Sequence, residues 1–247
     1  MAQEQTEKHF VKRAIIVAAG EGVRMHPLTL DIPKPLIKVN GKRMIDTVID
    51  SLHEQGVYEI YVVIGYLKEK FKELKIKYPD LVFIENPWYA SCNNISSLYC
   101  ARDHLSECMI LDGDQIIYHS EILQRDFERS GYNAIWTEEE TPEWLLQVEK
   151  GVVKSCSRTG GHHGWQLHSI SRWTEEDGEK LRKQLEIEFD EKNNSDIYWD
   201  DVPIFLYPET YQLGILPMKA GDMVELDSLD ELIAVDPSYS EKYRKEQ

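Results

Sequence analysis

The sequence predicts an α/β fold: a doubly wound, mostly parallel, Rossmann-like sheet with helices on both faces and a small β-rich part. Two observations predict it. In the first half of the chain, apolar runs bounded by turn residues alternate with segments of helical periodicity, as in parallel strands joined by helices. These apolar runs are also typical of strands buried on both faces.

The elements of the first half follow in order. A buried strand is predicted over residues 14–18, and it ends in a glycine loop at residues 19–22. A helix covers residues 45–52, where apolar side chains recur at i, i+3, i+4 and i+7, and Gly56 suits its C-terminal cap. Further elements are strands at 61–64, 81–84 and 109–111, a lysine-rich amphipathic helix at about 67–77 and a helix at 95–102.

The second half is less regular and richer in strands. Its predicted elements are a hairpin of 144–148 with 152–157, a strand at 165–170, a charged helix at 175–189, a strand at 223–226 and a short C-terminal helix. Because no long linker interrupts the chain, we expect a single domain over residues 12–247, preceded by a loose extension at 1–11. Its two halves meet at about residue 130.

Composition excludes several classes of partner. The net charge of −16 argues against nucleic acid or an anionic membrane as partner. No apolar segment approaches the ~20 residues of a membrane span, and the first residues lack a signal-peptide pattern, so a cytoplasmic protein is expected. The four cysteines show no metal-binding spacing and are expected to be reduced and mostly buried.

The glycine loop is the first candidate site. It runs Ala18-Ala19-Gly20-Glu21-Gly22-Val23-Arg24, and the surrounding segment 12–43 carries seven basic residues against two acidic ones. Glycines let the backbone approach phosphate oxygens and donate N–H groups to them. Met25 breaks the dinucleotide-binding pattern, and the Walker pattern is absent. By itself the loop predicts either an anion site or an ordinary turn between a strand and a helix.

Lys34 is the second candidate, within Pro33-Lys34-Pro35-Leu36. The flanking prolines are expected to hold it in extended backbone. A rigidly presented ammonium can stabilise the charge that builds on a phosphoryl group during transfer. The alternative is a solvated lysine in a turn.

Together these two motifs, AAGxGxR and PKPL, resemble the nucleotidyltransferases that activate sugar phosphates, choline phosphate and related compounds. The resemblance covers nearly the whole chain after residue 12. It implies that the loop residues cradle an NTP and that Lys34 contacts the phosphates near the α-phosphorus. The first half of the chain would then bind the NTP and the second half the acceptor. The loop residues concerned are Ala18, Ala19, Gly20, Glu21, Gly22 and Arg24.

Acidic residues supply the third candidate. Carboxylates in Asp112-Gly113-Asp114 follow a predicted strand, where they either hold a hard cation or cap the turn. The resemblance implies that Asp114 and Asp227 bind Mg²⁺, with Glu225 on the same side of its strand as Asp227. Sugar-activating members usually carry LDTGT-like residues where this chain has Glu225-Leu226-Asp227-Ser228, which disfavours a sugar acceptor.

Four segments are similar to bacterial choline-phosphate cytidylyltransferases. They are residues 89–99 (YASCNNISSLY), Glu143-Trp144, residues 197–200 (IYWD) and residues 225–228 (ELDS). A quaternary ammonium has no hydrogen-bond donor, so aromatic faces and nearby carboxylates recognise it. Trp144, Tyr198 and Asp200 could form such a box, although each aromatic could instead be a core residue. Trp199 is expected to point elsewhere, because neighbouring residues do not share a face.

The resemblance therefore implies transfer of CMP from CTP to phosphocholine, giving CDP-choline and pyrophosphate. Mg²⁺, Lys34 and Arg24 would neutralise charge, and Asn86 and Asn94 would face the base. No general base is expected, because a phosphate monoester with a second pKa near ~6 is already largely dianionic. Alternatives are 2-aminoethylphosphonate or a sugar 1-phosphate as acceptor, or a regulatory module without catalysis. The last should lack the lysine or a metal-binding acid, and this chain has both.

Overall fold

The computed structural model describes residues 8–243. Its strands are β1 His9–Phe10, β2 Arg13–Ala18, β3 Lys38–Val39, β4 Lys42–Arg43, β5 Glu59–Ile64, β6 Val82–Glu85, β7 Cys108–Asp112, β8 Gln115–Ile117, β9 Asp126–Phe127, β10 Gly131–Thr137, β11 Leu145–Glu149, β12 Val152–Ser157, β13 Gly164–Trp173, β14 Gly214–Met218 and β15 Met223–Glu225. Its α-helices are α1 Met44–Glu54, α2 Leu74–Lys77, α3 Ile95–Cys100, α4 Glu175–Leu185, α5 Leu229–Val235 and α6 Ser238–Tyr243.

Nine of these strands form one sheet. β6, β5, β2 and β7 are parallel neighbours in that order. β13 pairs antiparallel with β7, then β10 with β13, and β14 closes the sheet parallel to β10. The hairpin of β11 and β12 is attached to β13. The predicted α/β class is confirmed: four neighbouring parallel strands lie in the half that carries the glycine loop, and the second half adds mainly antiparallel strands and the parallel pair β10–β14.

Helices cover both faces of the sheet, as a doubly wound fold requires. Ile16 of β2 packs into a cluster with Ile49 of α1. Its neighbour Ile15 points to the opposite face and packs with Leu98 of α3 and Leu181 of α4. Successive strand residues point to opposite faces, so the apolar run in β2 serves two cores. This explains why the run is continuous rather than alternating.

Three predicted helices differ in detail. The lysine-rich segment forms a 3₁₀ helix at Lys68–Glu73 followed by α2. Its buried Phe71 and Leu74 are three residues apart, a spacing that a three-residue turn aligns on one side. The helix predicted at 95–102 ends at Cys100 and continues as a 3₁₀ turn. The charged helix predicted at 175–189 widens after Leu185 into a π-helical turn that runs to Glu191.

The sequence analysis missed several strands, of which β10 and β14 matter most because they extend the sheet. Order also begins earlier than expected: within the predicted extension, β1 pairs with β9 and Val11 is fully buried. The rest of that extension, residues 1–7, lies outside the described residues. No helix among the residues that the structure describes is long and apolar enough to cross a bilayer.

Candidate active site

A cavity of about 620 Å³ opens at the carboxyl ends of β2 and β7, the edge where ligands bind in open α/β sheets. Every residue predicted for the site lines this cavity, except Glu21. Residues that are far apart in sequence therefore converge on one place.

The glycine loop leaves β2 at the floor of this cavity. Gly22 has a left-handed backbone with a φ of 64°, and a Cβ there would lie 3.1 Å from the Cβ of Lys34. The Thr29 hydroxyl donates a hydrogen bond of 2.9 Å to the Gly22 carbonyl and holds the turn. At Gly20 a Cβ would meet no atom within 4 Å, so the backbone is open to the cavity. The loop can thus present its backbone N–H groups to a phosphate. The absence of a side chain at Gly22 lets Lys34 pack closely against the loop.

Lys34 is only 7% exposed. Its Nζ lies 2.6 Å from Asp114 Oδ2 and 2.7 Å from Asp227 Oδ1. Burial alone would lower the pKa of Lys34, but these two carboxylates raise it, so the side chain is a cation. The backbone differs from the expectation: Pro33 is extended, whereas Lys34 opens a 3₁₀ turn in which its carbonyl accepts from the Ile37 N–H.

Three acids lie together beside this lysine. Among the described residues, Asp112, Asp114 and Glu225 form the one group of three potential metal ligands with an oxygen of each within 4.8 Å of the others. Burial, and then repulsion from Asp114, raise the pKa values of Asp112 and Glu225 well above their usual range. Asp114 Oδ1 is buried without a hydrogen-bond partner. An all-oxygen donor set with an unpaired buried atom fits a hard cation such as Mg²⁺.

Asp227, predicted as the second metal ligand, has different neighbours. Its Oδ1 lies 2.7 Å from the Nζ of Lys34 and 2.8 Å from Nη2 of Arg24. Asp227 therefore neutralises the two cations that were expected to face the phosphates. The third member of the acid group, with Asp114 and Glu225, is Asp112 rather than Asp227. The sequence signal for Asp112 was present, since it begins the DGD segment at the end of β7.

The two asparagines expected near the base are engaged in the wall of the cavity. The side-chain NH₂ of Asn86 donates to the hydroxyls of Ser96 (2.9 Å) and Ser97 (3.0 Å). Its Oδ1 accepts the Trp88 N–H at 2.8 Å. Asn94 accepts the Trp199 N–H at 2.8 Å. Asn86 therefore has no free amide hydrogen to offer a base, and its contacts hold the serine hydroxyls of α3 in place.

Two aromatic residues of the predicted box, Trp144 and Tyr198, are in contact. The rings of Trp144 and Tyr198 meet edge to face, with centroids 5.9 Å apart and planes at 90°. Trp199 packs into the core against Trp173, as predicted. Glu143, to which no role was assigned from the sequence, also lines the cavity, as Asp200 does.

Asp200 is the unusual member of this box. Its Oδ1 is buried and has no hydrogen-bond partner. Burial raises the pKa of its carboxyl to about 7, the nearby Tyr132 hydroxyl lowers it, and the charge of Asp201 raises it. A carboxylate with one unpaired oxygen, in the same cavity lining as two aromatic rings, is suited to a small organic cation. The cavity can thus hold polyphosphate at one set of residues and a cation at another.

Comparison with known proteins agrees with this geometry. Residues 14–177 match the family of MobA-like NTP transferase domains. The chain is 38% identical to a 2-aminoethylphosphonate cytidylyltransferase of Lancefieldella rimae, over 92% of each chain. It is 34% identical to a choline-phosphate cytidylyltransferase of Streptococcus pneumoniae, over 89% of this chain and 94% of the relative.

Solved structures show the same likeness. The CTP:phosphocholine cytidylyltransferase of Streptococcus pneumoniae superposes with a TM-score of 0.83 at 28% identity, covering 92% of this chain and 99% of the other. An inositol-1-phosphate CTP transferase of T. maritima reaches a TM-score of 0.73 at 14% identity, a likeness of fold alone.

Proposed function

This chain belongs to the family of MobA-like NTP transferase domains and is a nucleotidyltransferase, and from that premise we propose that it transfers CMP from CTP to phosphocholine. The observation that carries the choice of acceptor is the box of Trp144, Tyr198 and Asp200 in the same cavity as the glycine loop. Aromatic faces and a carboxylate suit a quaternary ammonium, which cannot donate hydrogen bonds.

In this proposal the chain's own residues bind and orient the reactants. The open backbone at Gly20, with Arg24 and Lys34, binds the phosphates of CTP. The box binds the choline end and so directs the acceptor phosphate towards the α-phosphorus. One acceptor oxygen forms a bond to that phosphorus, and the bond to the β-phosphate breaks to release pyrophosphate. No proton moves, because the acceptor is largely dianionic near neutral pH, and catalysis consists of positioning and charge neutralisation.

Asp112, Asp114 and Glu225 are the residues that would hold Mg²⁺. The ion would supply further neutralisation of the negative charge on two anionic reactants. The residues present fit it, since three carboxylates converge and Asp114 Oδ1 is otherwise unpaired.

A second acceptor, 2-aminoethylphosphonate, is favoured by a specific observation. The unpaired Oδ1 of Asp200 can accept a hydrogen bond, which a primary ammonium can donate and a quaternary one cannot. The relative that is 38% identical carries that activity in its name. The two acceptors share the same phosphoryl chemistry, so the proposed reaction is unchanged between them.

The first test is pyrophosphate release by the purified protein with Mg²⁺ and each of four NTPs, in the presence of phosphocholine, 2-aminoethylphosphonate or glucose 1-phosphate. We expect release with CTP, and a kcat/KM for phosphocholine about tenfold above that for 2-aminoethylphosphonate, since a primary ammonium that enters an aromatic box leaves N–H donors without acceptors, whereas a quaternary ammonium has none to satisfy. The reverse preference would reassign the acceptor and keep cytidylyl transfer. If none of the three acceptors gives pyrophosphate release, the proposal is refuted.

A pH prediction arises at Asp200. With a pKa of about 7, its carboxyl is mostly protonated at pH 6 and mostly ionised at pH 8. The ionised form attracts the acceptor cation, so the KM for the acceptor should fall about tenfold from pH 6 to pH 8. KM for CTP should not follow this change.

The matched variant for this test is Asp200→Asn, which keeps the shape of the side chain and removes its titration. In this variant the remaining slope should be that of the acceptor phosphate itself, with its pKa near ~6. An unchanged pH profile in Asp200→Asn would contradict the assignment of the titrating group.

A further inference from the structure

Arg158, directly after β12, lies against the aromatic box and has no place in the proposed reaction. Its guanidinium carbon is 4.0 Å from the centroid of the Phe205 ring and 5.4 Å from that of Trp144. Phe205 in turn meets Trp144 nearly edge to face, with centroids 5.3 Å apart. The guanidinium therefore makes cation–π contacts with two rings at once, and one of them is the ring expected to contact the acceptor.

The same guanidinium is also linked to Tyr198, the other aromatic residue of the box, because both contact Asp201. Arg158 Nη2 lies 2.7 Å from Asp201 Oδ1, and the Asp201 side chain is only 2% exposed. Asp201 Oδ2 accepts the backbone N–H of Tyr198 at 3.0 Å, and the Asp201 N–H donates back to the Tyr198 carbonyl. Asp201 thus closes the turn that carries Tyr198.

Charge explains why the two residues occur together. A buried carboxylate needs a partner, because its desolvation is otherwise uncompensated. A lone cation beside the box would repel the cationic acceptor. In the Arg158–Asp201 pair each residue neutralises the other, so stacking can hold the rings without opposing the acceptor.

We propose that Arg158 and Asp201 are positioning residues that hold Trp144, Phe205 and Tyr198 in the arrangement that binds the cationic end of the acceptor. This inference rests on the proposed function for the identity of the acceptor. Arg158 and Asp201 would lie behind the box and influence the binding of the acceptor but not the binding of CTP.

Three variants test the pair. In Arg158→Met the hydrocarbon stem stays and the charge and stacking are lost. In Arg158→Lys the charge stays without the planar stack. In Asp201→Asn an acceptor for the Tyr198 N–H stays without the charge. Arg182→Met is the matched control, since Arg182 pairs with the exposed Asp103 and does not line the cavity.

We expect Arg158→Met to raise the KM of the preferred acceptor about tenfold, with KM for CTP and kcat within about twofold of wild type. Arg158→Lys should be intermediate, and Arg182→Met unchanged. If Arg158→Met does not fold because Asp201 is left buried and unpaired, the double variant Arg158→Met with Asp201→Asn removes that charge and should show the same rise in acceptor KM.

Choline binding, measured by calorimetry without CTP, separates this inference from the proposed function. If the wild-type protein turns over and Arg158→Met has the same acceptor KM as the wild type, the positioning role is overturned and the proposed function stands. Equal rises in both KM values would also overturn it, because they would indicate a general structural role. If the wild-type protein binds choline but shows no turnover, and Arg158→Met binds choline more weakly, the positioning role is supported and the proposed function is refuted. Neither turnover nor choline binding would overturn both.

Discussion

Replacing Lys34 by methionine is expected to lower kcat for pyrophosphate release by about a thousandfold, with a much smaller change in the acceptor KM. The reason is that Lys34 is a buried cation fixed on two sides, by Asp114 and Asp227. It is therefore already oriented when charge builds on the phosphoryl group. Methionine is similar in length and apolar, so the variant removes the charge with little change in volume.

The controls separate catalysis from folding. Lys12→Met removes a lysine of the same basic segment, whose partner Glu107 lies outside the cavity lining, and should leave kcat unchanged. Thermal unfolding should be recorded for Lys34→Met, because Asp114 loses its ion-pair partner and Asp227 keeps only Arg24. If the loss of stability is large, adding Asp227→Asn removes one of the two carboxylates that Lys34 neutralised. A folded Lys34→Met variant with kcat within tenfold of wild type would refute a catalytic role for Lys34.

The glycine loop and the DGD segment could be expected at one cavity because both lie at strand ends. A glycine loop after β2 and a DGD segment after β7 must meet in a parallel sheet, since adjacent parallel strands end at the same edge. The aromatic box was predicted from short segments that resemble those of choline-phosphate cytidylyltransferases, and it stays a prediction as a ligand site. Trp199 was expected to point away from the box, and the structure buries it in a turn rather than in a strand.

What the sequence did not predict depends on contacts between distant segments. The partners of Asp227 are Lys34 and Arg24, about 200 residues away, and no local pattern encodes that pairing. Asn86 suits a base-reading role by residue type, but its amide is used by two serines of α3. The pairing of β10 with β14 also joins segments about 80 residues apart, and β14 contains a proline that weakens a strand prediction.

The choice of metal ligands is where sequence and structure make different predictions, and variants can decide between them. The resemblance pairs Asp114 with Asp227, whereas the structure groups Asp114 with Asp112 and Glu225. We expect Asp112→Asn and Asp114→Asn each to lower Mg²⁺-dependent activity by at least about a hundredfold. Both should also weaken the binding of Mn²⁺, measured directly by electron paramagnetic resonance in the absence of nucleotide.

Asp227→Asn should behave differently. It should leave Mn²⁺ binding within about threefold of wild type, because its carboxylate serves Lys34 and Arg24 rather than the acid group. Its kcat should still fall, since those two cations lose their anchor. If Asp227→Asn abolishes Mn²⁺ binding while Asp112→Asn does not, the pair implied by the resemblance holds the ion and Lys34 must move aside for it. If none of the variants changes Mn²⁺ binding, the ion does not bind at these acids before the nucleotide. In the free protein Lys34 would then be the ion-pair partner of Asp114, and Lys34→Met should lose stability because that half-buried carboxylate is left without it.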